Sequence, residues 1–145
     1  MKLPEYVTAE EVKRVCQELG IRDWMASSDS AVSPEEARVI LAEVNTEGMN
    51  IPVEDFLQGL EVELEHGVRF KDANVTNNHP ILTGKIVLAH FKESMEYYKR
   101  LAVAELEGDL LKATLAKNSA KIESLYKRLA LARLALYQAE LNRLA

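Results

Sequence analysis

His90, Glu93, Glu61, Glu65 and His66 are the residues whose types and spacing could do chemistry. On a helix through Gly84–Glu93, about 100° of rotation per residue puts Ile86, Val87, Leu88 and Phe91 on one apolar arc. His90 falls between Ile86 and Val87, so substantial burial is expected. Glu93 and Tyr97 follow it along the same helix edge. A buried imidazole beside a carboxylate is either a structural hydrogen-bonded pair or part of a metal-ligand set. Glu61 and Glu65 lie one turn apart on the preceding helix, with His66 next to them. Glu65 and His66 point away from the stripe made by Phe56, Leu57, Leu60 and Leu64. They reach His90 only if the fourth helix, or the loop before it, covers that side.

Together these five side chains would suit iron, manganese or zinc. Helical bundles build dinuclear carboxylate sites from a Glu-x-x-His pair on each of two helices. Here one such pair exists, in reversed order, as His90-x-x-Glu93. The competing reading is a polar latch joining the third and fourth helices through Glu65, His66, His90 and Glu93. It needs no complete ligand set. A divalent metal and no cofactor at all are equally open from the residues.

Other chemical signals are weaker. Thr83-Gly84-Lys85 has His79 where a phosphate loop wants glycine, and Ile86 where it wants Ser or Thr. Lys85 near a helix start is instead a partner for Glu61 or Glu65. Cys16 lies on an apolar stripe and reads as a small hydrophobe rather than a nucleophile. Tyr97-Tyr98 falls at helical spacing from Phe91 and Leu101, which makes it core. No serine sits in a nucleophile elbow, and no catalytic residue is identified.

The elements that must position these residues are helices. Thr8 and Glu11 form a capping box, Val12, Val15, Cys16 and Leu19 a stripe, and Gly20 a stop, predicting a helix over 9–19. Residues 22–33 read as a loop, with Trp24 and Met25 pinning it to the core. Ser33-Pro34-Glu35-Glu36 starts a second helix, whose stripe is Ala37, Ile40, Leu41 and Val44. A third begins at Pro52 and closes at Gly67; Gly59 within it implies close packing of a neighbour. The turn-rich stretch 68–79 reads as an ordered loop. From Pro80 the chain is helical almost to its end, with breaks expected near Ser94-Met95, Gly108 and Asn118-Ser119. No strand alternation of useful length occurs. The fold class is all-α: a small helical bundle with a long C-terminal amphipathic helix.

Composition sets the outer limits. Of 145 residues, 48% are apolar and 28% charged, which is globular usage. No apolar stretch approaches the roughly 20 residues that span a bilayer, and Met1-Lys2-Leu3-Pro4-Glu5 carries no export pattern. A single cysteine excludes an internal disulfide and a multi-cysteine zinc module. A net charge of -5 argues against nucleic acid as partner. A cytoplasmic location is expected. Charge is uneven: residues 1–108 carry 11 Lys/Arg against 20 Asp/Glu, while residues 109–145 carry 7 against 3. The chain therefore divides into an acidic helical domain, 1–108, and a basic amphipathic helix, 109–145.

In that last segment Ile122, Leu125, Leu129, Ala132, Leu136 and Ala139 form a heptad-like seam. Leu131, Leu134, Leu141 and Leu144 form a second apolar row. Two rows exceed what a lone solvated helix tolerates, so both need cover. Either this helix packs back on the chain's own body, or it self-associates or docks on a protein partner through residues 119–145. A membrane-surface role ranks low, because Glu123, Gln138, Glu140 and Asn142 interrupt the polar face.

Leu64-Glu65-His66-Gly67, Asn74-Val75-Thr76, Thr83-Gly84-Lys85-Ile86, Ala89-His90-Phe91-Lys92-Glu93 and Tyr97-Tyr98 together resemble a family of small uncharacterised bacterial and phage-encoded proteins. The resemblance covers about Val53 to Leu106. It implies a shared polar site at Glu65, His66, Thr76, Lys85, His90, Glu93 and Tyr97, and a virion-associated location if the chain is phage-encoded. Relatives carry proline and aspartate before the tyrosine pair. Met95 and Glu96 stand there in this chain, so one helix is expected to run through a point where relatives start another. Two function classes result: a non-enzymatic assembly protein using its C-terminal helix, which is favoured, and a metal-binding protein or metalloenzyme.

Overall fold

The computed structural model describes residues 6–145. Among them are six α-helices and no strand: α1 (Ala9–Leu19), α2 (Pro34–Val44), α3 (Val53–Arg69), α4 (Pro80–Glu93), α5 (Tyr97–Leu115) and α6 (Ser119–Leu144). The protein is all-α, and its last helix is its longest. No helix among the described residues is long and apolar enough to cross a membrane. The chain forms two compact units that divide between Lys92 and Glu93, whereas the change in charge near residue 108 falls inside α5.

In the first unit the box expected at Thr8 and Glu11 is only half formed, the Glu11 carboxylate accepting from Arg14 instead, while that at Ser33 and Glu36 is complete. Thr8 Oγ1 accepts the Glu11 backbone N–H at 3.2 Å, and Gly20, at φ 67°, closes α1 in the left-handed conformation. At α2 the Ser33 hydroxyl accepts from Glu36 N, and the Glu36 carboxylate accepts from Ser33 N at 2.8 Å. The other Glu36 oxygen accepts from Trp24 Nε1 and Arg22 Nε, both at 3.0 Å. One buried carboxylate thus caps a helix and holds the 21–33 loop, which explains how Trp24 becomes fully buried. Met25 does not share this role; it is exposed.

The core of this unit joins Val12, Cys16, Trp24, Ile40, Phe56 and Val87. Gly84 lets α4 approach it. A Cβ there would lie 2.6 Å from Ile40 Cγ2 and 3.2 Å from Val44 Cγ1. The contact face of α4 therefore runs through Pro80, Thr83, Gly84, Val87, Leu88 and Phe91. Ile86, expected on that face, lies at its edge and is exposed. Gly59 is buried within α3. Gly67 does not end α3, which continues to Arg69.

The second unit is a helical hairpin. The chain breaks after Glu93 and α5 restarts at Tyr97, as expected near Ser94-Met95, so the continuous helix inferred at Met95-Glu96 from the family resemblance is not formed. The Ser94 hydroxyl accepts the Glu96 backbone N–H at 3.2 Å, a local bond that competes with helix continuation. Gly108 produces no break. Asn118 caps α6, its Oδ1 accepting from Lys121 N at 3.1 Å. Leu125, Leu129 and Leu136 of the seam are buried, and Leu106 and Ala113 of α5 share the core with the first two. The second apolar row divides: Leu134, Leu141 and Leu144 are exposed on one side of α6, and Leu131, also exposed, lies on another.

Candidate functional site

α3 and α4 meet through Glu63 and His90. Glu63 Oε1 lies 3.5 Å from His90 Nε2, and Glu63 Oε2 lies 3.8 Å from Nδ1 of His66, one turn further along α3. Glu63 is the more enclosed, at 16% side-chain exposure, with His90 at 27% and His66 at 55%. His90 is thus partly covered rather than swallowed, and its acidic neighbour from the preceding helix is Glu63. Both contacts become ion pairs when the imidazole is protonated.

The remaining members of the expected set have other partners. Glu61 accepts the Val32 backbone N–H at 3.1 Å, tying α3 to the residue before the α2 cap. Glu65 is exposed and pairs with Arg69 at 2.9 Å. Glu93 is the exposed last residue of α4. The five-residue carboxylate and imidazole set is not assembled: among the described residues no three His, Cys, Asp or Glu side chains are grouped to hold a metal ion. The reason is angular. On α3, Glu63 follows Phe56 by two turns and precedes Gly67 by one, placing it in the buried arc, whereas Glu61 and Glu65 lie across the helix. That arithmetic was available in the residues, and the alternating glutamates hid it.

Thr76, Lys85 and Tyr97 do not join this cluster. Thr76 Oγ1 donates to Asn74 Oδ1 at 3.3 Å within the α3–α4 loop. Lys85 is exposed on α4. Tyr97 begins α5 and packs edge-on against Tyr98, with ring centroids 5.1 Å apart. Cys16 is buried, and burial pushes its thiol up, which leaves it unreactive.

Two features escaped sequence reading. The first is the loop joining α3 to α4. Asn77 and Asn78 adopt left-handed backbone angles, φ 49° and 59°, which asparagine tolerates better than most residues. The Asn74 amide donates to Asn78 Oδ1 at 2.9 Å and to the Gly67 carbonyl at 3.3 Å. A Cβ at Gly67 would collide with both asparagine side chains. The glycine is required by this knot, not by a helix end.

The second is His79. Its Nδ1 accepts backbone N–H groups of Ile81 and Leu82 at 3.2 and 3.4 Å, capping α4. Burial pushes the imidazole below its usual range, with the Glu11 carboxylate pulling the other way. A histidine preceding proline at a helix start was the available signal.

Neither a curated protein nor a solved structure matches the chain. A family model matches residues 12–107, from within the first turn of α1 through α4 to the first half of α5, leaving α6 outside. The chain belongs to the family described as Protein of unknown function (DUF5661).

Proposed function

We propose that this protein is a non-enzymatic interaction module that associates through the outer face of α6. The observation that carries the reading is the burial pattern of that helix. Its seam is covered by α5, yet Tyr126, Leu134, Tyr137, Leu141 and Leu144 on its outer side are each 59–84% exposed. A contiguous apolar row of this size on a folded surface marks an interaction site. In this reading Glu63, His66 and His90 are structural, a polar contact that fixes how α4 lies on α3. A cytoplasmic or virion-associated setting suits an assembly role equally.

An apolar dye such as ANS tests the face. Dilute protein is expected to enhance dye fluorescence, and Leu134→Asp combined with Leu141→Asp is expected to remove most of it at unchanged helix content. A signal indifferent to these substitutions overturns the reading.

A further inference from the structure

The outer row of α6 has a regular construction. Tyr126, Ala130, Leu134, Tyr137, Leu141 and Leu144 recur every three or four residues. At about 100° per residue the row stands roughly a quarter to a third of a turn from the seam, where a further helix of a bundle lies. Tyr126, Ala130, Arg133, Leu134 and Tyr137 line a shallow depression of about 270 Å³ along it.

We propose that this row is covered by α6 of a second copy of the chain, antiparallel about a two-fold axis between Ala130 and Leu134. The inference rests on the reading of α6 as an association face, and three features select the occupant. The first is size complementarity. Antiparallel pairing about that point sets the small Ala130 against Leu134 of the second copy and Tyr126 close to its Tyr137. Leu134 of each copy then enters the space left by Ala130 of the other, with the two tyrosines flanking it, so the same patch serves both copies as a two-fold interface requires.

The second is area. At the exposures found, the five large side chains present roughly 600 Å² per copy, so complete burial of both rows would give about 1,200 Å², the lower edge of stable interfaces. The third is charge. Arg133, beside the row, is held by Glu107 at 2.6 Å, and Lys127 by Glu123 at 2.7 Å. Two like faces therefore meet without a net positive field. The same neutralisation disfavours an acidic protein or a polyphosphate as the occupant.

Light scattering of the full chain over a concentration series, with cysteine cross-linking, tests the proposal. Cys16 is buried, so an introduced thiol on α6 is the reactive one. The average mass is expected to rise from 16.3 kDa toward twice that value. A mixture of Ala130→Cys and Leu134→Cys chains is expected to cross-link several-fold faster than either alone. Faster linking of Ala130→Cys with itself than with Leu134→Cys overturns the antiparallel arrangement. A single-chain mass at every concentration overturns the second copy as partner. If such a monomer keeps its α6-dependent dye signal, the association face survives and only its occupant is wrong; without that signal both fail.

Discussion

Glu63 on α3 faces His90 on α4 at 3.5 Å, with 16% and 27% of their side chains exposed. A half-covered pair of this kind holds orientation more than it adds stability, because solvent still competes for both groups. A double-mutant cycle with Glu63→Gln and His90→Ala is expected to give a coupling of about 0.5–1 kcal/mol in chemical denaturation. His66→Ala, at the exposed end of the contact, is expected to stay within about 0.5 kcal/mol of the parent. A coupling indistinguishable from zero removes the latch.

The asparagine knot between α3 and α4 leaves no room at Gly67. Gly67→Ala has opposing effects: alanine favours the helix, but its Cβ must displace Asn74 and Asn78 from their bonds. The second effect is expected to win by about 1–3 kcal/mol, the usual cost of overpacking. Thermal or denaturant midpoints check this, and a stabilised Gly67→Ala variant would show that the asparagines yield freely.

His79 makes the first unit sensitive to mild acid. Its folded-state pKa is lowered by burial, so the unfolded chain binds the proton more readily. The stabilising contribution is complete above the unfolded value of about 6.5 and declines as pH falls from there toward the folded value. His79→Asn keeps a capping oxygen and removes the titration. Its stability is expected to fall less steeply than the parent's over that window, measured by denaturant midpoints against pH. Parallel curves would remove His79 as a source of the slope.

Glu96 ties the end of α6 to the start of α5. Burial of this carboxyl works against ionisation, but Arg143, at 2.9 and 3.1 Å, and the Ser94 hydroxyl outweigh it and hold its pKa low. The contribution is present above the ordinary carboxylate range and is lost as pH falls below it. Glu96→Gln is expected to cost about 1–2 kcal/mol at neutral pH, less than a fully buried pair because Arg143 remains in water. Equal stability of parent and variant would show that this carboxylate does not tie α6 to α5.

Much of the architecture is legible in the residues because local rules and burial agree there. Thr8, Ser33 and Pro34 mark helix starts, Gly20 a stop, and the α6 seam its buried side. What stays hidden is non-local. Nothing near Gly84 announces that Ile40 will press on it, and nothing near Glu61 says that Val32 will claim its carboxylate. For the cluster, the contact between α3 and α4 at His90 was expected, but its carboxylate is Glu63. Glu65 turns to Arg69 because it lies across the helix from Phe56. The break near Ser94-Met95 was legible, and a local serine makes it: the Ser94 hydroxyl takes the Glu96 backbone N–H.

Sedimentation equilibrium of the full chain beside Leu134→Asp tests most directly whether α6 is where one copy meets another. The exposed site is expected to make the substitution harmless to the hairpin itself, with circular dichroism as the check that helix content is kept. The parent is expected to show a mass rising with concentration toward two chains, and the variant a single chain throughout. One chain in both, or an assembly that the aspartate leaves intact, would contradict the account.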